Sequence, residues 1–106
     1  MRSIYTAQLD KLRPVVILTR ESVRASRTLV TVAPITSVIR GLRVEVQVGP
    51  GNGLDEDSVV NCDAIQTIRV NDLRDPIGVF FDSQEPALAE AIRAAFSLVP
   101  SSGGPS

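Results

Sequence analysis

Two short apolar segments of this chain each carry one polar residue whose type suits phosphate chemistry. Arg13 stands immediately before the apolar run 14–18. Thr36 follows the run 30–35, and Pro34 within that run predicts that Thr36 has left the sheet. A guanidinium can bind two phosphate oxygens at once, and a hydroxyl can donate one further hydrogen bond. An arginine and a hydroxyl that meet at strand ends therefore predict a phosphate site, and with it nucleic acid chemistry.

The chain contains no histidine, which excludes several kinds of catalysis. Ser-His-Asp and Cys-His systems need an imidazole base, and some nucleases use a histidine pair as acid and base. A zinc site built on histidine is excluded too, because the single Cys62 cannot supply a thiolate set instead. The acidic run 55–57 lacks the alternating ligands of a calcium loop, so we interpret it as a solvated loop. We therefore expect neither a metal nor a cofactor.

The charges are unevenly distributed along the chain, although the net charge is only −1. Residues 1–43 hold eight cations and two anions, whereas residues 44–106 hold three cations and ten anions. Ten of the eleven cations are arginines, which suit bidentate phosphate recognition better than lysines do. We therefore expect an anionic partner in a basic groove to which both subunits of a dimer contribute, lined by arginines of the first half. For any single arginine, a solvated surface charge is the alternative.

Length and composition predict a single cytoplasmic domain. The 106 residues suffice for one domain, which we place at residues 1–99, with a disordered tail at 100–106. No apolar stretch of about 18 residues occurs, so no membrane-spanning helix is expected. Cys62 cannot form an internal disulfide, which fits a reducing cytoplasm, and its apolar neighbours predict a small core residue.

Hydrophobic periodicity predicts several short strands that position the two polar residues. Strands are expected at residues 3–7, 14–19, 28–33, 42–48, 58–69 and 77–81. The alternation in 42–48 directs Leu42, Val44, Val46 and Val48 inward, and the strand 58–69 is expected to bend near Asp63. Between the strands we expect a loop at 20–27, a turn at 49–53 and a helical turn at 70–74.

The end of the chain changes to helical periodicity. Leu88, Ile92, Phe96 and Val99 fall on one helical stripe, which Asp82 or Ser83 can cap at its start. Short strands followed by one C-terminal helix predict a mainly β (α+β) fold, in which a small, strongly bent antiparallel sheet or barrel packs against the helix.

The order of several motifs resembles the MazF/PemK-type toxins of bacterial type II toxin–antitoxin systems. These motifs are RPVVIL, VTVAPITS, VEV, DSVVNCDAIQTI and IG, and the resemblance extends over roughly residues 2–98. It implies an SH3-like barrel with a C-terminal helix, of the CcdB/PemK-like kind. It also implies sequence-selective, metal-independent cleavage of single-stranded RNA to 2′,3′-cyclic phosphate and 5′-OH ends. A homodimer and an acidic MazE-like antitoxin are the implied partners.

The same resemblance assigns candidate site residues. It implies that Arg13 and Thr36 are catalytic, and the RNA-binding residues assigned with them are Lys11, Ser37, Arg40 and Asp63. The proton-transfer groups stay open among Asp10, Lys11 and Asp63. This chain departs from many members at its first loop, because only residues 9–12 separate Gln8 from Arg13.

Alternative interpretations stay open at this point. Arg13 could be the structural ion-pair partner of Asp10 or Glu45, and Thr36 could be a plain turn residue after Pro34. Two other functions compete with RNA cleavage: a non-enzymatic, CcdB-like toxin that binds gyrase, and a degenerate toxin that retains only antitoxin or RNA binding. The absence of Trp counts against the gyrase poison, whose C-terminal aromatic segment contacts its target.

Overall fold

The computed structural model describes residues 1–99, so the predicted tail at 100–106 lies outside the described residues. The strands and helices are, in chain order, β1 (Arg2–Gln8), β2 (Leu12–Ile17), α1 (Glu21–Arg24), β3 (Leu29–Thr36), β4 (Glu45–Val48), β5 (Ser58–Asn61), β6 (Gln66–Arg69), β7 (Leu73–Phe80) and α2 (Glu85–Ala95). Short 3-10 turns lie at Pro50–Asn52, Cys62–Ala64, Val70–Asp72 and Asp82–Gln84.

The strands form one antiparallel sheet that curls on itself. Its order is β4-β5-β3-β2-β1-β7, and β6 pairs with β3 beside β5. Strand β3 organises the sheet, since residues 32–34 pair with β2, residues 29–32 with β6, and residues 35–36 with β5. The pairing of β1 with β7 carries register shifts, which let the long β7 bend around the molecule.

Both faces of the central strands are buried, which explains their continuous apolar sequences. One core lies between the sheet and α2 and includes Val16, Phe80 and Leu88. The other lies on the opposite face, where Val15 and Val32 are covered by apolar residues of the curled sheet and its connections. The sequence prediction of a bent antiparallel sheet with a C-terminal helix is therefore confirmed.

Several predicted strand boundaries are wrong. The segment 58–69 is two strands, because a 3-10 turn at Cys62–Ala64 separates β5 from β6. Thr36 does not leave the sheet: β3 continues to it, and it pairs with Val59. Strand β4 begins only at Glu45, so Leu42 lies in the preceding loop and is 50% exposed instead of inward. These differences share one cause, since local patterns cannot show which neighbour a strand end will pair with.

The helices also differ from the prediction. The loop expected at 20–27 contains α1, and the strand expected at 77–81 starts at Leu73. Helix α2 ends at Ala95, so Phe96 and Val99 extend the predicted stripe beyond the helix and are 58% and 74% exposed. Among the described residues, no helix is both long and apolar enough to cross a bilayer.

The turn at 49–53 is wedged against β7. Gly53 has φ +95°, and a Cβ there would lie 2.2 Å from the carbonyl oxygen of Ile77. A Cβ on Gly78 would lie 1.7 Å from the carbonyl oxygen of Asn52, whose buried side-chain amide donates to a β7 carbonyl at 2.9 Å. This close approach of two backbones fixes the segment that follows the turn, which forms one wall of the site described next.

Candidate active site

An open groove of about 1010 Å³ lies at the end of the sheet where β2 begins and β3 ends. Its walls come from the β1–β2 turn, the loop after β3, the segment that follows the turn at 49–53, and the connection between β5 and β6. All six candidate residues from the sequence lie on it: Lys11, Arg13, Thr36, Ser37, Arg40 and Asp63.

The strand register brings Arg13 and Thr36 together. Val15 pairs with Pro34 and Val16 with Ala33, so continuing this antiparallel register by two residues sets Arg13 opposite Thr36. Side chains alternate along a strand, and therefore both residues occupy the same face of the sheet. Two residues that are distant in sequence thus line the same groove.

Arg13 is held by Asp10 across the β1–β2 turn. The guanidinium donates from Nε to Asp10 Oδ1 at 2.9 Å and from Nη2 to Oδ2 at 3.1 Å. These hydrogen bonds lower the pKa of the Asp10 carboxyl to about 2, and they raise the pKa of Arg13. The ion-pair interpretation of Arg13 is thus correct for Asp10. The Asp10 carboxylate occupies the fork of the guanidinium, a geometry that also suits phosphate because both ligands offer two oxygens.

Glu45 binds the backbone of the loop between β3 and β4 instead of pairing with Arg13. Its carboxylate accepts hydrogen bonds from the backbone N–H of Arg40 at 3.2 Å and of Leu42 at 3.1 Å. These bonds fix the loop between β3 and β4, which carries Arg40 to the groove. Glu45 therefore shapes one wall of the site and does not pair with Arg13.

The Thr36 hydroxyl is oriented by the backbone that follows it. Its Oγ1 accepts a hydrogen bond from the N–H of Val38 at 3.1 Å. Within residues 1–99 the hydroxyl donates to no acceptor, so its hydrogen can point to a ligand in the groove. Thr36 thus has two roles: its oxygen stabilises the turn after β3, and its hydroxyl hydrogen remains available to a ligand.

Acids outnumber cations in the groove of the single chain. Its lining includes three cations and five acids, the acids being Asp10, Glu45, Asp55, Glu56 and Asp63. The basic groove expected between two subunits stays a prediction. Other arginines of the first half lie elsewhere: Arg2 pairs with Glu85 at 2.7 Å, and Arg20 and Arg24 line a separate, smaller cavity.

Sequence reasoning missed part of the groove wall. Asp55 and Glu56 are exposed, as expected of a solvated loop, and they line the groove together with Asn61 and Gln66, for which the sequence predicts no role. No local signal marks them, because the wall is assembled by the contact of the turn at 49–53 with β7 and by the break between β5 and β6. Within residues 1–99, no three acidic or Cys side chains gather as a metal-binding group.

Cys62 takes no part in the groove. Its side chain is buried in the core beneath α2, and burial raises the pKa of the thiol to about 11. The sequence interpretation of a core residue is confirmed.

The fold has counterparts among known proteins. A family model described as "PemK-like, MazF-like toxin of type II toxin-antitoxin system" matches residues 2–96. The chain therefore belongs to this family of toxins.

Individual relatives agree with this assignment. Endoribonuclease MazF3 of Mycobacterium tuberculosis is 62% identical over 98 residues, covering 92% of this chain and 95% of that protein. The solved structure of the Mycobacterium tuberculosis toxin MazF-mt6 superposes with a TM-score of 0.91 at 61% identity, covering 93% of this chain and all of that one. A mycobacterial endoribonuclease in complex with its cognate antitoxin shares the fold, with a TM-score of 0.81 at 22% identity and coverage of 92% and 94%.

Proposed function

We propose that this protein is the endoribonuclease toxin of a type II toxin–antitoxin pair, which cleaves single-stranded RNA and so inhibits translation and growth. Its membership of the toxin family and its 62% identity to a protein named as an endoribonuclease support this function. The observation that carries the chemistry is that Arg13 and Thr36 line one groove, at the end of the sheet where the β2–β3 pairing stops. The gyrase-binding and degenerate-toxin alternatives have no comparable observation in their favour.

The RNA supplies its own nucleophile in the proposed reaction. The 2′-oxygen attacks the adjacent phosphorus and the bond from phosphorus to the 5′-oxygen breaks. One proton leaves the 2′-hydroxyl and one is delivered to the departing 5′-oxygen, so the products are a 2′,3′-cyclic phosphate and a free 5′-hydroxyl. The protein must align these atoms and stabilise the charge that accumulates on the non-bridging phosphoryl oxygens.

Arg13 and Thr36 are suited to that stabilisation. The Arg13 fork would bind the phosphoryl oxygens in place of the Asp10 carboxylate that occupies it in the free protein. The Thr36 hydroxyl would donate to a non-bridging oxygen from the opposite strand. One well-placed donor of this kind contributes roughly 3–4 kcal/mol to the transition state.

The groups that transfer protons differ from those that stabilise the phosphoryl oxygens. Arg13 cannot be the base, because a guanidinium does not lose its proton near neutral pH. Asp10 is ionised at neutral pH, and its pKa of about 2 makes it a weak general base. Its better role is to hold the Arg13 fork until the phosphate arrives, which leaves Lys11 and Asp63 as candidates for proton transfer. Lys11 and Arg40 suit contacts with phosphates, and Ser37 and Asp63 suit contacts with base edges.

Incubation of the purified protein with a long single-stranded RNA in EDTA tests this function. Cleavage should persist in EDTA and leave cyclic phosphate ends. A matched RNA with a 2′-deoxy group at the mapped cleavage position should resist at that position, since it lacks the nucleophile. Efficient cutting of the deoxy substrate would refute the mechanism.

The proposed partners are an antitoxin and a second copy of the chain, in the cytoplasm. An extended acidic segment of a MazE-like antitoxin could place a carboxylate on Arg13 just as Asp10 does, and so exclude RNA directly. Competition between labelled RNA and the antitoxin segment tests this, and simultaneous binding of both would contradict it. Light scattering tests the symmetric homodimer, which is the commonest form of oligomer.

A further inference from the structure

A second basic surface lies outside the groove, around α1. Residues 20–27 form the only window of eight residues in the sequence that holds three arginines. Backbone hydrogen bonds from Arg24 N to Arg20 O and from Arg27 N to Arg24 O carry helical turns through the whole segment. These turns bring Arg20, Arg24 and Arg27, here called the arginine ridge, onto successive turns of one short helical segment.

Cations outnumber acids around the arginine ridge, since Glu21 and the Arg2-paired Glu85 are the acids that line the small cavity beside Arg20 and Arg24. Arg20 and Arg27 are exposed, and within residues 1–99 none of the three arginines forms an ion pair. Glu21 is the one acid of the segment. Arg24 is held in place without an acid, because its guanidinium lies 5.4 Å from the centroid of the Tyr5 ring and donates to the Tyr5 hydroxyl at 3.4 Å.

The groove, in contrast, is a poor source of affinity for a polyanion. Five acids and three cations line it, and one of the cations, Arg13, is occupied by Asp10. Affinity for a nucleic acid backbone comes mainly from cations that neutralise phosphates and release counterions. The groove of one chain can therefore orient one reacting phosphate, but its own charge is a weak source of affinity for the strand that flanks this phosphate.

We propose that the arginine ridge binds phosphates of the RNA strand that flanks the cleavage site. Arg13 stands near the start of β2 and Arg20 lies just beyond its end. The two sites are thus separated by roughly the length of the strand, about 20 Å. An RNA of several nucleotides that is anchored at Arg13 can reach the ridge, whereas a short one cannot. In this arrangement the acid-lined groove selects and cleaves the RNA, and the ridge supplies the salt-dependent part of the binding affinity.

This inference rests on the proposed function. Its test compares the Kd of the protein for a short RNA with its Kd for a long RNA. The probes are labelled 2′-O-methyl RNAs of about three and about 20 nucleotides, which lack the nucleophile and survive the measurement. The double variant Arg20→Gln/Arg27→Gln removes two exposed charges of the ridge and leaves Arg24 on Tyr5. The control variant Arg74→Gln/Arg93→Gln removes the same charge from two other partly or fully exposed arginines.

The expected result is a loss confined to the longer RNA. Each lost phosphate contact lowers the slope of log affinity against log salt by about 0.7, so two contacts lower it by about 1.4. With an unchanged intercept at 1 M salt, the ratio of the two Kd values should change about 25-fold at 0.1 M salt. The control variant should keep the wild-type ratio and slope.

Two results would overturn the inference, and both differ from a failure of the proposed function. Equal losses for the ridge and control variants would show that only bulk charge matters. An unchanged ratio in the ridge variant, while the wild-type protein cleaves RNA, would show that the ridge does not contact the strand. Failure of the wild-type protein to cleave any natural RNA would instead refute the proposed function.

Discussion

Replacing Thr36 by valine separates the catalytic role of its hydroxyl from its structural role. Valine keeps the β-branched shape that suits the end of β3, and it removes the oxygen alone. The structural loss is one hydrogen bond from the N–H of Val38 at 3.1 Å, at an exposed site where water can replace the oxygen. The free energy of unfolding should therefore fall by about 1 kcal/mol or less.

The catalytic loss should be much larger than this. If the hydroxyl donates to a phosphoryl oxygen in the transition state, its removal should slow cleavage about 10²–10³-fold. Single-turnover cleavage of a labelled RNA at saturating protein measures the chemical step, and urea unfolding measures the stability of the same samples. Thr36→Ser should retain most of the rate, because serine keeps the donor.

Thr31→Val provides a matched control on the same strand. Thr31 Oγ1 shares a 2.9 Å hydrogen bond with Thr67 Oγ1, so this variant also exchanges a threonine of β3 for valine and loses one side-chain hydrogen bond. It should lose similar stability and cleave at the wild-type rate. A Thr36→Val protein that cleaves like the wild type, or a Thr31→Val protein that is slowed equally, would refute the assignment of Thr36.

Three further predictions concern Arg13, Gly78 and Cys62. Arg13→Ala should abolish cleavage without unfolding the protein, and an NMR titration should show the pKa of Asp10 rising from about 2 toward its ordinary value; normal cleavage would make Arg13 purely structural. Gly78→Ala should lower Tm strongly, because its Cβ would lie 1.7 Å from a carbonyl oxygen, whereas Gly51→Ala, with no atom within 4 Å, should not. Since burial raises the pKa of Cys62 to about 11, the unfolded thiol ionises first as pH rises, so the stability linked to this thiol should fall from about pH 8.5 up to pH 11. A Cys62→Ala variant should lack that part of the alkaline loss in urea unfolding, and an identical pH dependence in both proteins would contradict the assignment.

Local sequence patterns predicted the strands and helices better than the pairing between strands. The alternation and apolar runs identified most strands, and the helical stripe identified α2 through Leu88 and Ile92. The same patterns could not separate β5 from β6 or keep Thr36 in β3, because both outcomes depend on pairing with distant strands. They also predicted Phe96 on the apolar stripe of the helix, but α2 ends at Ala95, one residue before it.

The sequence by itself determined the chemistry that is available to this protein. Without histidine and with a single cysteine, the chain must rely on arginine, hydroxyl and carboxylate groups, and the segments around Arg13 and Thr36 already marked two of them.

Only the tertiary structure decided how these groups meet. The pairing of β2 with β3 brings Arg13 and Thr36 to one groove, the β1–β2 turn places Asp10 on the Arg13 fork, and the β7 contact brings Asp55 into the groove. The charge surrounding a site is the sum over residues that folding brings close, and most of these are distant in sequence. Four acids of the second half therefore join Arg13 and Thr36 in the groove, whereas the arginine ridge lies on a separate surface.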